Sequence, residues 1–190
     1  TITELGPATL MPGFVAAPGH PLTEAVFLGP KVVDMRPVVA ASADDVMRIL
    51  HAAVDAAPPT GTYANGWDPL LQVGLPQPTL AWLNALSPVL PLAIMHNSGH
   101  SAYFNTAAAA AAGVTRDTPD PVGSSFGRDE HGELDGSLRE TGAAAMIFGD
   151  ALSLTPPEFI DALGAESRRL NAVGITTVGE LGYSPASAPV

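Results

Sequence analysis

The stretch of sequence that decides the fold begins at His96 and ends at Glu140, and it reads HNSGHSAYFNTAAAAAAGVTRDTPDPVGSSFGRDEHGELDGSLRE. The apolar run that precedes it, at residues 91–95, is typical of a buried strand. A run of alanines inside it predicts a short helix with Asn105 or Thr106 as its N-cap. Pro, Asp and Gly residues fill the remainder and predict closely spaced turns. A strand, a helix and turns in this order favour an α/β fold.

Predicted strands and helices alternate along the rest of the chain, which also favours an α/β fold. Residues 9–15 predict a buried strand, and residues 31–39 predict a short edge strand. Ser42 is expected to cap a helix whose apolar side chains recur at helical spacing. The Thr-Pro-Pro-Glu segment at residues 155–158 is a capping box that opens a further helix. Residues 175–178 then predict another strand.

The composition narrows the range of partners and locations. The chain carries 8 basic and 19 acidic residues, for a net charge of −11, and it has no basic cluster. Neither nucleic acid nor an anionic membrane surface is therefore an expected partner, because both attract basic side chains. The sequence has no cysteine, no apolar run as long as the roughly 18 residues of a membrane span, and no signal-peptide pattern. We therefore expect a cytoplasmic location.

Several short motifs are spread in succession along nearly the whole chain. They are the segment at residues 10–15, Gly66-Trp67-Asp68, Gly99-His100, Asn105 with its alanine helix, Arg128-Asp129, Gly136-x-Leu138-x-Glu140 and the segment at residues 174–178. This succession resembles amidohydrolase family 3, the branch of the metal-dependent hydrolase superfamily that includes N-substituted formamide deformylases. Each motif alone is weak evidence. The resemblance is specific because the motifs occur here in the same order as in the family.

The resemblance implies an α/β fold of one particular kind, an incomplete (β/α)₈ TIM barrel with a long insertion after its first strand. A complete barrel needs about 250 residues, more than the 190 of this chain. Residues 1–8 would be the remnant of a small N-terminal β-sandwich, and residues 9–190 the N-terminal part of the barrel, with the insertion at about residues 22–150. We therefore interpret the chain as a piece of a longer protein. A genuine short protein is the alternative interpretation.

The activity implied by the resemblance is hydrolysis of a C–N bond in a small amide or formamide. One or two divalent metal ions, with zinc as the expected metal, would activate a water molecule and polarise the carbonyl group. Further His residues and an Asp that hold the metal in the family belong to later strands, which lie outside this chain. The chain alone is therefore predicted to be inactive and to bind no metal.

The first-strand motif departs from the family at the metal site. Where the family has His-x-His, this chain has Pro18-Gly19-His20. Residues two apart on a strand point to the same side, so two imidazoles at that spacing can hold one metal ion. Pro18 has no imidazole, which leaves His20 as the candidate metal ligand of this pair. A loop histidine without a ligand role is the alternative for His20.

The remaining candidate site residues follow from the resemblance. Glu140 is the candidate catalytic residue, as a metal ligand or a base; charge compensation at a helix start is its alternative. His100 is a candidate for contacting the substrate or polarising its carbonyl. The alternative is that its ring only forms a hydrogen bond to a loop carbonyl. Trp67 and Asp68 are candidate substrate-binding residues, or else a turn anchored by a buried Trp. Asn105 has a possible pocket role beside its role as a helix cap.

Two other functions stay open at this point. The complete protein could be a non-catalytic relative in which Pro18 marks a lost metal site and the pocket only binds a ligand. The chain could also be a structural or interaction module, because an incomplete barrel exposes apolar strand edges that favour self-association.

Overall fold

The structure, a computed structural model, describes residue 4 and residues 6–181, apart from the side chains of residues 18 and 150. Its elements in chain order are β1 (Phe14–Gly19), α1 (Pro21–Phe27), β2 (Val33–Asp34), α2 (Ala43–Asp55), β3 (Thr62–Trp67), α3 (Leu80–Leu86), β4 (Leu92–His96), β5 (Ser101–Phe104), α4 (Thr106–Ala111), β6 (Ser125–Arg128), β7 (Leu134–Arg139), α5 (Glu140–Phe148), α6 (Pro156–Ala172) and β8 (Ile175–Glu180). The fold is α/β, as the sequence predicted.

The chain divides into two compact units. Unit 1 comprises residues 1–26 and 155–190, and unit 2 is the continuous segment 27–154 between them. Residues 1–3, 5 and 182–190 of unit 1 lie outside the described residues. The predicted sandwich remnant at residues 1–8 therefore falls partly outside what the structure describes.

Unit 1 pairs the first strand with the last one. β1 runs parallel to β8, and its last residue, Gly19, lies opposite Glu180. Thr155 and Glu158 form the predicted capping box at the start of α6, which confirms that prediction: the Thr155 N–H donates to Glu158 Oε2 at 2.7 Å. Because the strands are parallel, their carboxyl ends meet at the same edge.

The first strand differs from its prediction in place and in burial. A buried strand was expected at residues 9–15, but β1 begins only at Phe14, and Leu10 is 81% exposed. Pro12 has no N–H to donate to a ladder, so the strand begins after it. Gly13 is needed at this point, because a Cβ there would lie 2.1 Å from Thr176 Oγ1.

Unit 2 is built on one six-stranded mixed sheet with the order β2-β3-β4-β5-β7-β6. β2, β3 and β4 are parallel, whereas the pairs β4–β5, β5–β7 and β6–β7 are antiparallel. The edge strand predicted at residues 31–39 shrinks to the two residues of β2. The strand predicted at residues 91–95 is confirmed as β4.

The sheet of unit 2 is covered on both faces, which explains the continuous apolar run of β4. Ala93 and Met95 belong to one buried cluster, while Leu92 and Ile94 belong to the other. Successive side chains of a strand point to opposite faces, so a strand buried on both sides needs apolar residues throughout. The first cluster contains residues of α4 and α5, and the second contains residues of α2 and α3.

No helix within the described part of the chain has both the length and the apolar character needed to cross a lipid bilayer.

Candidate functional site

Polar side chains gather at the carboxyl edge of β3 and β4 in unit 2. β3 ends at Trp67 and β4 at His96, and the two strands are parallel and paired. The loop that follows β4 is tied back to β3, since the backbone N–H of Asn97 donates to the Trp67 carbonyl at 2.9 Å. The Asn97 side-chain amide donates to Asp68 Oδ2 at 3.0 Å. Asp68, a predicted site residue, therefore holds two loops together at this edge.

The Asp68 carboxylate is fully engaged in these contacts. Its Oδ1 accepts hydrogen bonds from the backbone N–H groups of Leu70 and Leu71 at 3.1 and 3.2 Å, and the residue is 8% exposed. Burial by itself would raise the pKa of Asp68, but these two bonds and the bond from Asn97 outweigh it and hold the pKa below its ordinary value. Asp68 is thus an ionised loop cap, which corresponds to the turn interpretation.

A buried amide that the sequence did not single out fixes the same loop. Gln72 Nε2 donates to the carbonyls of Met35 and Ala40 at 2.7 and 2.8 Å, and Gln72 Oε1 accepts from the Asp68 N–H at 2.9 Å. Gln72 is completely buried. Nothing in the local sequence marks it, because the two carbonyls that its Nε2 binds lie more than thirty residues away along the chain.

His100 and Glu140, predicted separately, lie in direct contact. His100 Nδ1 is 3.0 Å from Glu140 Oε2, and the Glu140 N–H donates to the His100 carbonyl at 2.9 Å. The antiparallel pairing of β5 with β7 brings them together, since Ser101 lies opposite Arg139. The side chains are 73% and 47% exposed, so solvent and ligands can reach both.

Glu140 has an unusual backbone conformation. Its φ of 66° is the only positive value among the non-glycine residues that the structure describes. A non-glycine residue in this region costs on the order of 1 kcal/mol, and such residues cluster at functional sites. Glu140 opens α5 with its carboxylate turned to His100.

Trp67 lies in the core of unit 2. Its side chain is completely buried, and its ring packs against that of Trp82 with centroids 5.7 Å apart. Within the described part of the chain, its Nε1–H has no hydrogen-bond partner. The geometry matches the interpretation of a turn anchored by a buried Trp, and the predicted role as a pocket wall is not what the described contacts support.

Asn105 is also completely buried, and both ends of its amide are used. Oδ1 accepts from the N–H groups of Leu92 and Ala108 at 2.9 and 2.8 Å. Nδ2 donates to the carbonyls of Ser87 and Leu90 at 2.7 and 2.9 Å. Asn105 therefore caps α4 and joins it to the loop before β4, which is the cap role that the sequence predicted.

The candidate metal ligand belongs to unit 1. His20 follows the end of β1, and its Nδ1 lies 3.3 Å from Oε1 of Glu180 at the end of β8. Glu180 Oε2 also accepts from the Leu22 N–H at 3.0 Å. The parallel pairing of β1 and β8 thus places one imidazole and one carboxylate at the same edge, 160 residues apart in sequence.

The donor set does not fit a complete metal site. A catalytic zinc usually has three protein ligands. In the stretches that the structure describes, no three His, Asp or Glu side chains converge as a metal-binding group. His20 and Glu180 supply two donors, and Pro18 supplies none.

Unit 2 also contains a cavity of about 800 Å³. It is lined mainly by apolar groups at the opposite, amino-terminal end of β3 and β4, including Tyr63, Pro91 and Met146. None of the predicted site residues lines it.

The fold defines the class: it is an α/β fold similar to those of metal-dependent hydrolases. Crystal structures of metal-dependent hydrolases from Pyrococcus horikoshii OT3 and Pyrococcus furiosus resemble it with TM-scores of 0.51 and 0.50, at 22% and 20% sequence identity. They cover 88% and 89% of this chain, which in turn covers 30% and 31% of theirs. The model of the amidohydrolase family matches residues 3–189, so the chain belongs to the amidohydrolase family, as its motifs predicted.

Three relatives are also similar to this chain in sequence. The N-substituted formamide deformylase of Arthrobacter pascens is 27% identical over 98% of this chain. The exoenzymes regulatory protein AepA of Pectobacterium carotovorum subsp. carotovorum is 27% identical over 95%. Protein LONG AFTER FAR-RED 3 of Arabidopsis thaliana is 32% identical over 58%. The chain spans only 35%, 39% and 19% of the lengths of these three proteins, respectively.

Proposed function

We propose that the complete protein hydrolyses a C–N bond of a small amide or formamide with the help of a divalent metal ion, zinc being the expected one, and that this chain is its N-terminal part. The observation that carries the proposal is the family match over residues 3–189. The deformylase of Arthrobacter pascens, of which the chain spans 35%, supports the choice of an amide bond.

The proposed domain plan assigns residues 1–8 to a β-sandwich remnant and residues 9–190 to the opening part of a (β/α)₈ barrel, with an insertion at about residues 22–150. Two features support it. β1, α6 and β8 have the order and the parallel pairing of a barrel repeat. The compact unit 2, residues 27–154, is close to the proposed insertion in its limits.

The proposed site residues differ in how much the geometry supports them. His20, together with Glu180, sits at the strand edge where barrel enzymes carry their active sites, and it is the proposed metal ligand of this chain. Glu140 and His100, the catalytic and substrate-binding candidates of the sequence, are the proposed site groups of the insertion, and their contact and exposure support them. Asp68 supports the site indirectly, through the loop that carries His100. For Trp67 and Asn105 the buried contacts favour structural roles.

The proposal predicts that the isolated chain does not turn over substrate. With zinc and simple N-formyl amines, release of amine should stay at the level of the buffer control, because the described residues supply two metal donors where three are usual. The complete protein, assayed in parallel, should release amine in a zinc-dependent manner. Metal-dependent turnover by the isolated chain would contradict the fragment interpretation, and an inactive complete protein would contradict the hydrolase.

One substitution distinguishes the proposed hydrolase from a non-catalytic relative with a decayed metal site. Pro18→His in the complete protein restores the His-x-His spacing. If zinc binding and turnover appear only in this variant, the natural protein is the decayed relative. If the protein with Pro18 is already active, the site works with one imidazole from this strand.

A self-associating module is a second candidate, favoured by the exposed first strand. Leu10, Met11, Phe14 and Val15 are all exposed, and β8 is the only strand that pairs with β1 within the described residues. A strand edge with exposed apolar side chains is a template for pairing with another chain.

Sedimentation tests this candidate. The isolated chain should sediment faster as its concentration rises, and more so at high salt, which screens the repulsion between chains of net charge −11. Val15→Glu should weaken the association, whereas Val73→Glu, an equally simple change at an exposed loop residue of unit 2, should not. A monomer at all concentrations would rule out association through this edge.

A further inference from the structure

We infer that His100 meets its ligand through an unprotonated Nε2, which accepts a hydrogen bond from the N–H of an amide, and that Glu140 acts by positioning this ring. The inference rests on the proposed function and deepens it, because it names the substrate class of the same site: amides that carry at least one N–H. It also changes the roles expected from the sequence, which made Glu140 the reacting group and let His100 polarise a carbonyl.

Elimination among the predicted substrate-binding residues leads to His100. Trp67 and Asn105 are completely buried, and the Asp68 carboxylate is occupied by three hydrogen bonds within the protein. The imidazole of His100 is 73% exposed and makes its ring contact through Nδ1. A ligand that reaches this edge of the sheet therefore finds an accessible ring nitrogen on His100.

The partner of Nδ1 determines the tautomer. An ionised carboxylate has only acceptor sites, so Glu140 Oε2 at 3.0 Å requires the proton to be on Nδ1 of His100. A neutral imidazole carries one proton, so Nε2 is left with its lone pair. Oriented rings that donate one N–H to a carboxylate and present the other nitrogen are a recurring arrangement at functional sites.

His96, in the same loop, is held in the opposite tautomer. Its Nδ1 lies 3.0 Å from the backbone N–H of Ser98, which can only donate, so this nitrogen must be the unprotonated one. The proton of neutral His96 is then on Nε2. Two histidines four residues apart thus present different groups to the solvent, and only His100 presents an acceptor.

Glu140 is suited to hold the ring in place. Its backbone N–H donates to the His100 carbonyl at 2.9 Å while its carboxylate binds the ring, so both ends of His100 are anchored to one residue. The residue stays at a φ of 66°, a conformation that glycine adopts without strain. A glutamate at such a position is costly for the fold, which is consistent with a role for its carboxylate.

An unprotonated Nε2 imposes a specificity. It cannot donate to a carbonyl oxygen, but it accepts from the N–H of a primary or N-monosubstituted amide. An N,N-disubstituted amide has no such N–H and cannot form this hydrogen bond, so Nε2 of the exposed ring stays bonded to solvent. The hydrogen bond therefore favours ligands that carry an amide N–H over analogues that lack it.

The tautomer can be read directly in the 190-residue chain. In a long-range ¹H–¹⁵N spectrum of protein with labelled histidine, recorded at a pH where the rings are neutral, Nδ1 of His100 should be protonated and Nε2 not. His96 should show the reverse pattern and serves as the internal control; His100→Gln identifies the signals. Glu140→Gly, which suits the backbone, should convert His100 to a mixture of tautomers, whereas Glu130→Gly should not. Protonated Nε2 in the natural chain, or no effect of Glu140→Gly, overturns the inference.

A matched pair of probes tests the recognition. N-methylformamide has an N–H and N,N-dimethylformamide has none, so only the first should shift the Nε2 signal of His100, and Glu140→Gly should reduce that shift several-fold. Equal shifts with both probes, or none with either, overturn the inference. The outcome is separate from that of the proposed function: amide hydrolysis by the complete protein can hold while the tautomer is wrong, and the tautomer can hold while the complete protein is inactive.

Discussion

Replacing Trp67 by Ala is expected to lower the free energy of unfolding by about 4 kcal/mol, the usual cost of removing a large buried aromatic side chain. The indole is completely buried and packs on Trp82, so its removal leaves a large cavity in the core of unit 2. Urea unfolding followed by circular dichroism measures the loss, provided that the slope with urea is unchanged. If Trp67 formed the wall of a ligand pocket instead, Trp67→Ala would leave the protein stable and weaken ligand binding.

Two variants make the test of Trp67 specific. Trp82→Ala is the matched control, because Trp82 is only partly buried in the same cluster and should cost clearly less. Trp67→Phe keeps a ring in the core and removes an Nε1–H that has no partner among the described residues, so it should also cost less than the change to Ala. A loss below about 1 kcal/mol for Trp67→Ala would contradict the core assignment.

Replacing Asn105 by Ala is expected to cost about 3 kcal/mol. The change removes four hydrogen bonds at a completely buried position. The N–H groups of Leu92 and Ala108 and the Ser87 carbonyl lose the Asn105 amide, whereas the Leu90 carbonyl keeps the Ser87 hydroxyl as a donor. A buried polar group that loses its partner costs about 1–3 kcal/mol, although relaxation recovers part of the sum. The same urea experiment measures it.

The control for Asn105 is Asn171→Ala, the same change at an exposed residue near the end of α6, where an effect within about 0.5 kcal/mol is expected. Asn105→Ser keeps an oxygen at the N-cap but loses the hydrogen bonds that the amide donates to Ser87 and Leu90. Its free energy of unfolding should therefore lie between those of the natural chain and the Ala variant. If Asn105→Ala leaves stability unchanged while ligand binding is lost, the residue belongs to a pocket after all.

Local signals in the sequence predicted local structure well. The helix caps at Ser42, Asn105 and Thr155 occur as expected, and the strand β4 is also where the pattern indicated. A cap joins groups within three residues of each other, and a buried strand shows its apolar run directly. These features therefore do not depend on what the rest of the chain does.

Strands with mixed composition were not recognised. β3 reads TYANGW, and its Asn and Gly are more typical of a turn, yet it lies in the middle of the sheet with nearly every residue buried. β5, β6 and β7 are short and lie in the stretch whose Pro, Asp and Gly residues predicted turns. Their strand character comes from pairing with one another across the 96–140 segment, which is a tertiary property.

The candidate site shows the same division. His100 and Glu140 were each selected from the motif order, but their contact arises from the register of β5 with β7. His20 and Glu180 are joined only through the pairing of β1 with β8. The assignment of Trp67, Asp68 and Asn105 to ligand binding depended on exposure, and the sequence carries little information on exposure for a Trp, an Asp or an Asn beside a turn.

By itself the sequence determined the family, the α/β class, the caps and the chemical identity of the candidate groups, because motif order and short-range hydrogen bonds are written in neighbouring residues. Only the tertiary structure decided which of these groups face solvent and which pair with each other. The contacts of His100 with Glu140 and of His20 with Glu180 join residues 40 and 160 apart in sequence, where no local pattern records the partner. Packing between separate elements gives His100 its carboxylate and leaves Trp67 and Asn105 in the core.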